Sequence, residues 1–306
     1  MNDVPALFYE AVCSSRLGKE EICAGGELAG LFGKVTADAF DNAAFHCVEL
    51  GNGQFYDDGY FRYFEGNLVE LNRVARKHQW HASVYVNADS DEYSTDPAAL
   101  EELSAATKGK HTRLSLKTAK ICSGLEKWIS RQCCYFVQVA GVAPKIPETL
   151  IQKKTLNGIE LLEESPITDE VNNQLLELLK QEQFSSAKIM GFTGSTLKTL
   201  IAEWRENASE MAGKTVWCRE KVAVDRDLGF RECTAEERRS FDFYYPRFQR
   251  YLRKPCKSGL FWSLVSYFTG VRTKALILKN EGSGAAIYCF TNFDDREKFN
   301  TFFAFV

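Results

Sequence analysis

Between Leu156 and Trp204 the apolar positions follow two alternating rhythms. Leu156-x-x-Ile159-x-Leu161 has the period of two expected of a strand. Thr168-Asp169-Glu170 then opens a segment whose Val171, Leu175, Leu178 and Leu179 recur at helical spacing. The strand template returns as Phe184-x-x-Ala187-x-Ile189, and Ser195 opens a second helix with Leu197, Leu200, Ile201 and Trp204 on one face. The same template places core pairs at Val84/Val86, Leu114/Leu116, Val137/Val139, Ile159/Leu161, Ala187/Ile189 and Val216/Cys218, at intervals of 22 to 30 residues. One strand and one helix per interval of that length is the pattern of an irregular leucine-rich-repeat-like solenoid of the α/β class. No unit carries the Asn that usually closes the loop after the strand; Ala119, Val142, Glu164 and Phe192 stand there instead. An ordinary α/β domain with a parallel sheet would produce the same alternation.

On either side of the repeats the pattern changes. Residues 1 to about 45 read as helices, with Phe8 and Val12 on one face and a later apolar series of Leu28, Leu31, Val35 and Phe40. Phe45–Leu50 reads as a strand entering a tight Gly51-Asn52-Gly53 turn. Asn67 is expected to start a helix with Glu70 as its capping-box partner and Leu68, Leu71, Val74 and Ala75 inward. Asp96-Pro97 reads as an N-cap followed by proline at the first helical position, and Ser123 with Glu126 as another capping box. Pro144 and Pro147 precede a short helical turn at Leu150-Ile151. Beyond Trp204 the chain turns polar before a strand at Thr215–Cys218, and Asp225-Arg226-Asp227 marks the end of the repeats. Thr234 and Glu237 can cap a helix, and Ala275–Leu278 with Ala285–Phe290 read as a hairpin. The division implied is a helical region over 1–50, strand–helix repeats over 51–233 and a β-rich capping module over 234–306.

Composition narrows the class. A chain of 306 residues holds one extended solenoid or two compact domains. With 45% apolar and 26% charged residues it reads as globular, and a net charge of −3 gives no general footprint for nucleic acid. Ten cysteines include no Cys-x-x-Cys pair, so they read as small buried hydrophobes in a reducing compartment. No secretory signal is read, and Leu260–Phe268 is too short to span a bilayer. An intracellular, cytoplasmic or nuclear protein is expected.

Candidate chemistry is sparse. His46 adjoins Cys47, but neighbours on a strand point to opposite faces. His78 and His81 lack companions at ligand spacing, and Asp89-Ser90-Asp91-Glu92 lacks the Gly and Glu of a calcium loop. Gly191–Thr196 joins a strand to a helix without the Lys of a P-loop, so a turn and an N-cap account for it. The basic aromatic segment 244–257, with Tyr244, Tyr245, Arg247, Arg250 and Arg253, is the one stretch suited to nucleic acid, a reading that the slightly acidic chain does not favour. No catalytic group, cofactor or metal is expected.

The entry Val4-Pro5-Ala6-Leu7-Phe8-Tyr9-Glu10-Ala11-Val12 resembles F-box proteins with leucine-rich-type repeats, above all the expanded nematode families of F-box-like proteins. Leu178-Leu179-Lys180-Gln181-Glu182-Gln183-Phe184 and Met211-Ala212-Gly213-Lys214-Thr215-Val216 carry the same likeness. The resemblance implies that the amino-terminal helices dock on the Skp-type adaptor of a cullin–RING ubiquitin ligase. Pro5, Phe8, Val12 and Leu31 would supply the apolar surface. The repeats would then hold a client protein. The stretch Leu31–Phe40 has Lys34 but not the Trp usual near the end of an F-box, and a helical cap that only seals the first repeat is the alternative.

If the core pairs face inward, the alternating positions Tyr85, Lys117, Gln138, Glu160, Lys188, Trp217 and Arg219 line one outer face of the sheet. Aromatic and Arg side chains on such a face suit protein binding, unless Tyr85 and Trp217 are covered by the hairpin near Phe55 or by the end module. The expected function is thus a non-enzymatic substrate-recognition subunit. A stand-alone interaction or sequestering module is the nearest alternative, and a nucleic-acid binder using segment 244–257 the more distant one.

Overall fold

Aliphatic side chains spaced by two along short strands can all be buried only if neighbouring strands keep them in register. The computed structural model of the chain does this. It describes residues 33–38, 44–64, 67–71, 79, 81–87, 96–117, 121–140, 146–162, 167–219, 224, 228–237, 274–280, 282–291 and 301–306. The class is α/β, and the chain divides into two compact units, residues 1–135 and 136–306.

In the first unit, helix α1 covers residues 33–38. Strands β1 (Phe45–Gly51) and β2 (Gln54–Phe64) form an antiparallel hairpin. Its turn is the expected one. Asn52 and Gly53 take φ values of 47° and 85°, and two successive positive φ angles make the turn whose twist matches a hairpin. Strand β3 (Asn67–Leu71) pairs antiparallel with β2. It replaces the helix expected from Asn67, because Asn67–Leu71 finds backbone partners along Tyr60–Phe64. The other side of β1 pairs in parallel with β4 (His81–Asn87), and β4 with β5 (His111–Lys117). Val84 lies opposite Leu114 and Val86 opposite Leu116, all buried. Val48 and Leu50 extend both rows onto β1.

Helix α2 (Pro97–Thr107) crosses from β4 to β5 as the Asp96-Pro97 pair predicts, the Asp96 carboxylate accepting from the Ala98 N–H at 2.9 Å. Helix α3 (Ser123–Ile129) buries Leu125, Trp128 and Ile129. Its N-cap is Cys122, whose side chain makes no cap bond, so the Ser123–Glu126 capping box does not form; Ser123 already has helical backbone.

Strand β6 (Cys133–Ala140) contains the division between units. In the second unit it is followed by α4 (Glu148–Lys153), β7 (Gly158–Leu161), α5 (Asp169–Lys180), β8 (Ser186–Ile189), α6 (Gly194–Met211) and β9 (Thr215–Cys218). Strands β6 to β9 are parallel and in register, aligning Val137, Ile159, Ala187 and Val216 in one buried row and Val139, Leu161, Ile189 and Cys218 in the next. The cap of α5 is Thr168, as read; that of α6 is Thr193 rather than Ser195. Helix α6 also continues through the polar stretch after Trp204, with a kink at Asn207.

The second unit then reverses direction. Strand β13 (Thr301–Phe305) pairs antiparallel with β9 and with β12 (Ala286–Thr291). Strand β11 (Lys274–Lys279) pairs with β12, as the hairpin reading expects, and with the short β10 (Arg231–Glu232). Thr234 and Glu237 form the expected reciprocal cap, each backbone N–H meeting the other's side chain.

Long polar side chains hold loop backbone groups in the second unit. Gln174, buried on α5, accepts from the Ile146 N–H at 3.3 Å and donates to the Ile146 carbonyl at 3.0 Å. Gln181 donates to the Ile151 carbonyl at 3.0 Å, and buried Lys214 donates to the carbonyls of Gln181 and Glu182 at 2.8 and 2.9 Å. Gln174 supplies partners for both Ile146 groups, while the Ile151 and Gln181 carbonyls, which also accept from the N–H groups of Lys154 and Phe184, gain a second donor each.

Candidate functional site

The positions between the core pairs emerge on the opposite side of each strand. In the second unit Gln138, Glu160, Lys188 and Trp217 are direct neighbours on β6, β7, β8 and β9, each partly exposed. The Gln138 amide donates to the Glu160 carboxylate at 3.1 Å. Below this row lie Phe136, Gly158, Ser186 and Thr215. A Cβ on Gly158 would come within 3.1 Å of the Ser186 carbonyl oxygen and 3.3 Å of the Phe136 ring, so glycine there lets that ring lean across the strand. Above the row, Arg219 follows β9, its N–H donating to the Ile189 carbonyl. Trp217 stands against Phe302 of β13, ring centroids 4.3 Å apart. The end strands thus cover one side of this indole.

In the first unit Tyr85 lies between Glu49 on β1 and Ser115 on β5 and is 39% exposed. Lys117, opposite Asn87, is exposed. Asn87 donates to the Glu49 carboxylate at 2.7 Å. All seven face residues named from the sequence therefore fall on or just beyond strands, in the two units separately. Pro5, Phe8, Val12 and Leu31, and segments 88–95 and 238–273, lie outside the described residues.

Two polar clusters in the first unit were not singled out from the sequence. In the first, His46 on β1 is 4% exposed and stacked on the Tyr60 ring, centroids 4.5 Å apart. Its Nε2 meets the Asp57 carboxylate at 2.7 Å and its Nδ1 meets Lys110 Nζ at 2.9 Å. Lys110 also donates to the Tyr60 hydroxyl at 3.3 Å, which donates to Gln79 at 2.9 Å. Burial pushes the Lys110 ammonium below its usual pKa, against the pull of Asp57. Burial opposes ionisation of Asp57, but hydrogen bonds from His46 and the Gly59 N–H, and the charges of His46 and Lys110, outweigh it and hold the carboxyl below its usual range. The arrangement depends on a β-bulge. The β1–β2 register slips between Cys47 and Val48, which sets His46 opposite Tyr60.

The second cluster joins strand starts. His81 and His111 are register neighbours with ring centroids 6.0 Å apart, and Tyr135 meets His81 edge-on. Cys133 Sγ lies 3.5 Å from His111 Nδ1. Burial, and secondarily the charge of His111, lower the His81 pKa to about 4. Its Nδ1 is buried without a hydrogen-bond partner among the described residues. Among these residues no group of three or more His, Cys, Asp and Glu side chains is arranged to hold a metal, and no helix is long and apolar enough to cross a membrane. Cys47, Cys134, Cys218 and Cys289 are buried, as the scattered-cysteine reading expects, whereas Cys133 is exposed. Burial, with the charge of Asp58, raises the Cys47 thiol to about 11.

Compared with family models, curated proteins and solved structures, the chain matches none of them.

Proposed function

We propose that the chain is a non-enzymatic recognition subunit, a strand–helix solenoid whose outer sheet face holds a protein partner. The row Gln138, Glu160, Lys188 and Trp217, in register across four parallel strands, carries this reading. Side chains from sequence-distant elements stand about 4.8 Å apart there. The row mixes an amide, both charge signs and an indole, the chemistry by which a surface selects a protein partner. Gln174, Gln181 and Lys214 support it from behind by fixing the loops that set the strand spacing.

The likeness of the amino-terminal segment to F-box-like proteins extends the proposal. Pro5, Phe8, Val12 and Leu31 supply an apolar surface for a Skp-type adaptor, and the sheet face presents a client to a ubiquitin-charged enzyme. Catalysis of client ubiquitination is then by proximity rather than by a group of this chain. Purified Skp-type adaptor mixed with the intact chain tests this, alongside Phe8→Asp and Val12→Asp variants checked for folding by circular dichroism. The adaptor is expected to be retained by the parent and lost by both variants. A well-folded parent that retains no adaptor overturns the ligase assignment and leaves a stand-alone interaction module.

A further inference from the structure

The cluster around His46 has the order of a nucleophilic triad with an amine in place of a hydroxyl. Asp57 accepts at His46 Nε2 (2.7 Å), which turns Nδ1 toward Lys110 Nζ (2.9 Å). When Nδ1 instead holds a proton, the Ala106 carbonyl at 3.4 Å can accept it while Asp57 stays on Nε2. Both N–H groups of the imidazolium then have acceptors. The groups around the amine pull in opposite directions. The Tyr60 ring, 5.2 Å from Nζ, and the Asp57 charge favour the ammonium. Burial of Nζ favours the neutral amine and outweighs the Asp57 charge, so the ammonium gives up its proton more readily than usual. Lys110 is half-buried, and the Asp57 side chain is 52% exposed, so the cluster opens to solvent on that side.

We propose that Lys110 is an acylation site, an amine nucleophile with His46 as its base and Asp57 orienting that base, which accepts acyl groups from thioesters. The logic is that of a base within hydrogen-bond reach of the nucleophile and itself held by a third group. The ammonium first releases one proton to solvent. The Nζ lone pair then attacks the thioester carbonyl carbon, and the N–C bond forms as the C–S bond breaks. The surplus N–H proton passes to His46 Nδ1 and on to the departing thiolate, leaving an amide on Lys110 and a free thiol. The proposal stands apart from the partner-binding reading, because none of its residues lies on the outer face.

Competitive labelling tests it. The intact protein is treated with a trace of the acetyl thioester of N-acetylcysteamine between pH 6 and 10, and acetylation of each lysine is read by peptide mass spectrometry. Lys127, exposed on α3, is the internal reference. At pH 7 Lys110 is expected to acetylate about tenfold faster than Lys127, with the midpoint of its rate profile at lower pH. His46→Gln is expected to bring its rate down to that of Lys127, with folding checked by melting temperature. If His46→Gln does not fold, the parent's rate ratio and midpoint decide alone. Equal rates for Lys110 and Lys127 in the parent, or an unchanged Lys110 rate in folded His46→Gln, overturn the proposal.

Discussion

The two units use the same parallel strand–helix template and satisfy their buried polar groups in opposite ways. In the second unit the clamps are the amides of Gln174 and Gln181, with the one ammonium of Lys214 bound to two carbonyls. In the first, Asp57, His46, Lys110 and Tyr60 are bonded to one another, and His81 stands half-buried beside His111. A neutral clamp has the same strength at every ordinary pH. A network of titrating groups does not. One backbone pattern thus carries amide clamps whose strength is indifferent to pH in one half and a cluster of titrating groups whose strength follows the proton in the other.

The largest effect is expected where no polar group is at stake. Trp204 is fully buried on α6, so Trp204→Ala should cost about 3–5 kcal/mol in urea unfolding. That loss should be the same at pH 5 and pH 7. Next comes acid. The folded pKa of His81 is lowered to about 4 from its ordinary 6.5. Between those values the unfolded chain takes up a proton that the folded chain refuses, so stability is lost as pH falls from about 6.5 to 4. The loss is about 3 kcal/mol. His81→Phe should flatten that slope, and Asp57, whose folded pKa is also lowered, should add a further loss below the ordinary carboxyl range. A slope that persists unchanged in His81→Phe breaks the comparison on the side of the first unit.

Gln174→Leu should cost about 2 kcal/mol by leaving the N–H and carbonyl of Ile146 without partners. Its cost should not vary between pH 5 and pH 7; a pH-dependent cost breaks the comparison from the other side. Thr168→Ala removes the N-cap that accepts from the Val171 N–H and should cost about 1 kcal/mol, read as a small fall in melting temperature.

Much of the fold was legible because its signal is local. Six aliphatic pairs spaced by two mark the parallel strands, and each described pair is buried in register within its unit. Asp96-Pro97, Thr168 and the Asn52-Gly53 turn work through their nearest neighbours, and so were readable too. Asn67–Leu71 was not. Leu68, Leu71, Val74 and Ala75 fit helical spacing, and only pairing with β2 decides for a strand. The His46 cluster is hidden for a similar reason. The turn alone would set His46 opposite Gly59, and the bulge moves it to Tyr60. The glutamine clamps did leave a trace, because Gln174 interrupts the apolar stripe of Val171, Leu175 and Leu178 on α5. A polar residue on a buried face implies a partner. Which partner depends on Ile146, twenty-eight residues away.

Glu160 and Lys188 stand side by side on one outer face, and a partner-binding row requires that they do. Cysteines placed at both positions, treated with a short bifunctional thiol reagent and read by peptide mass spectrometry, test that directly. A Glu160→Cys, Lys198→Cys chain, with the second cysteine on helix α6, is the reference. Rapid cross-linking of 160 to 188, with none of 160 to 198, is the expected result. Cross-linking of 160 to 198 in preference to 188 would mean that the row does not exist, and the partner-binding face would go with it.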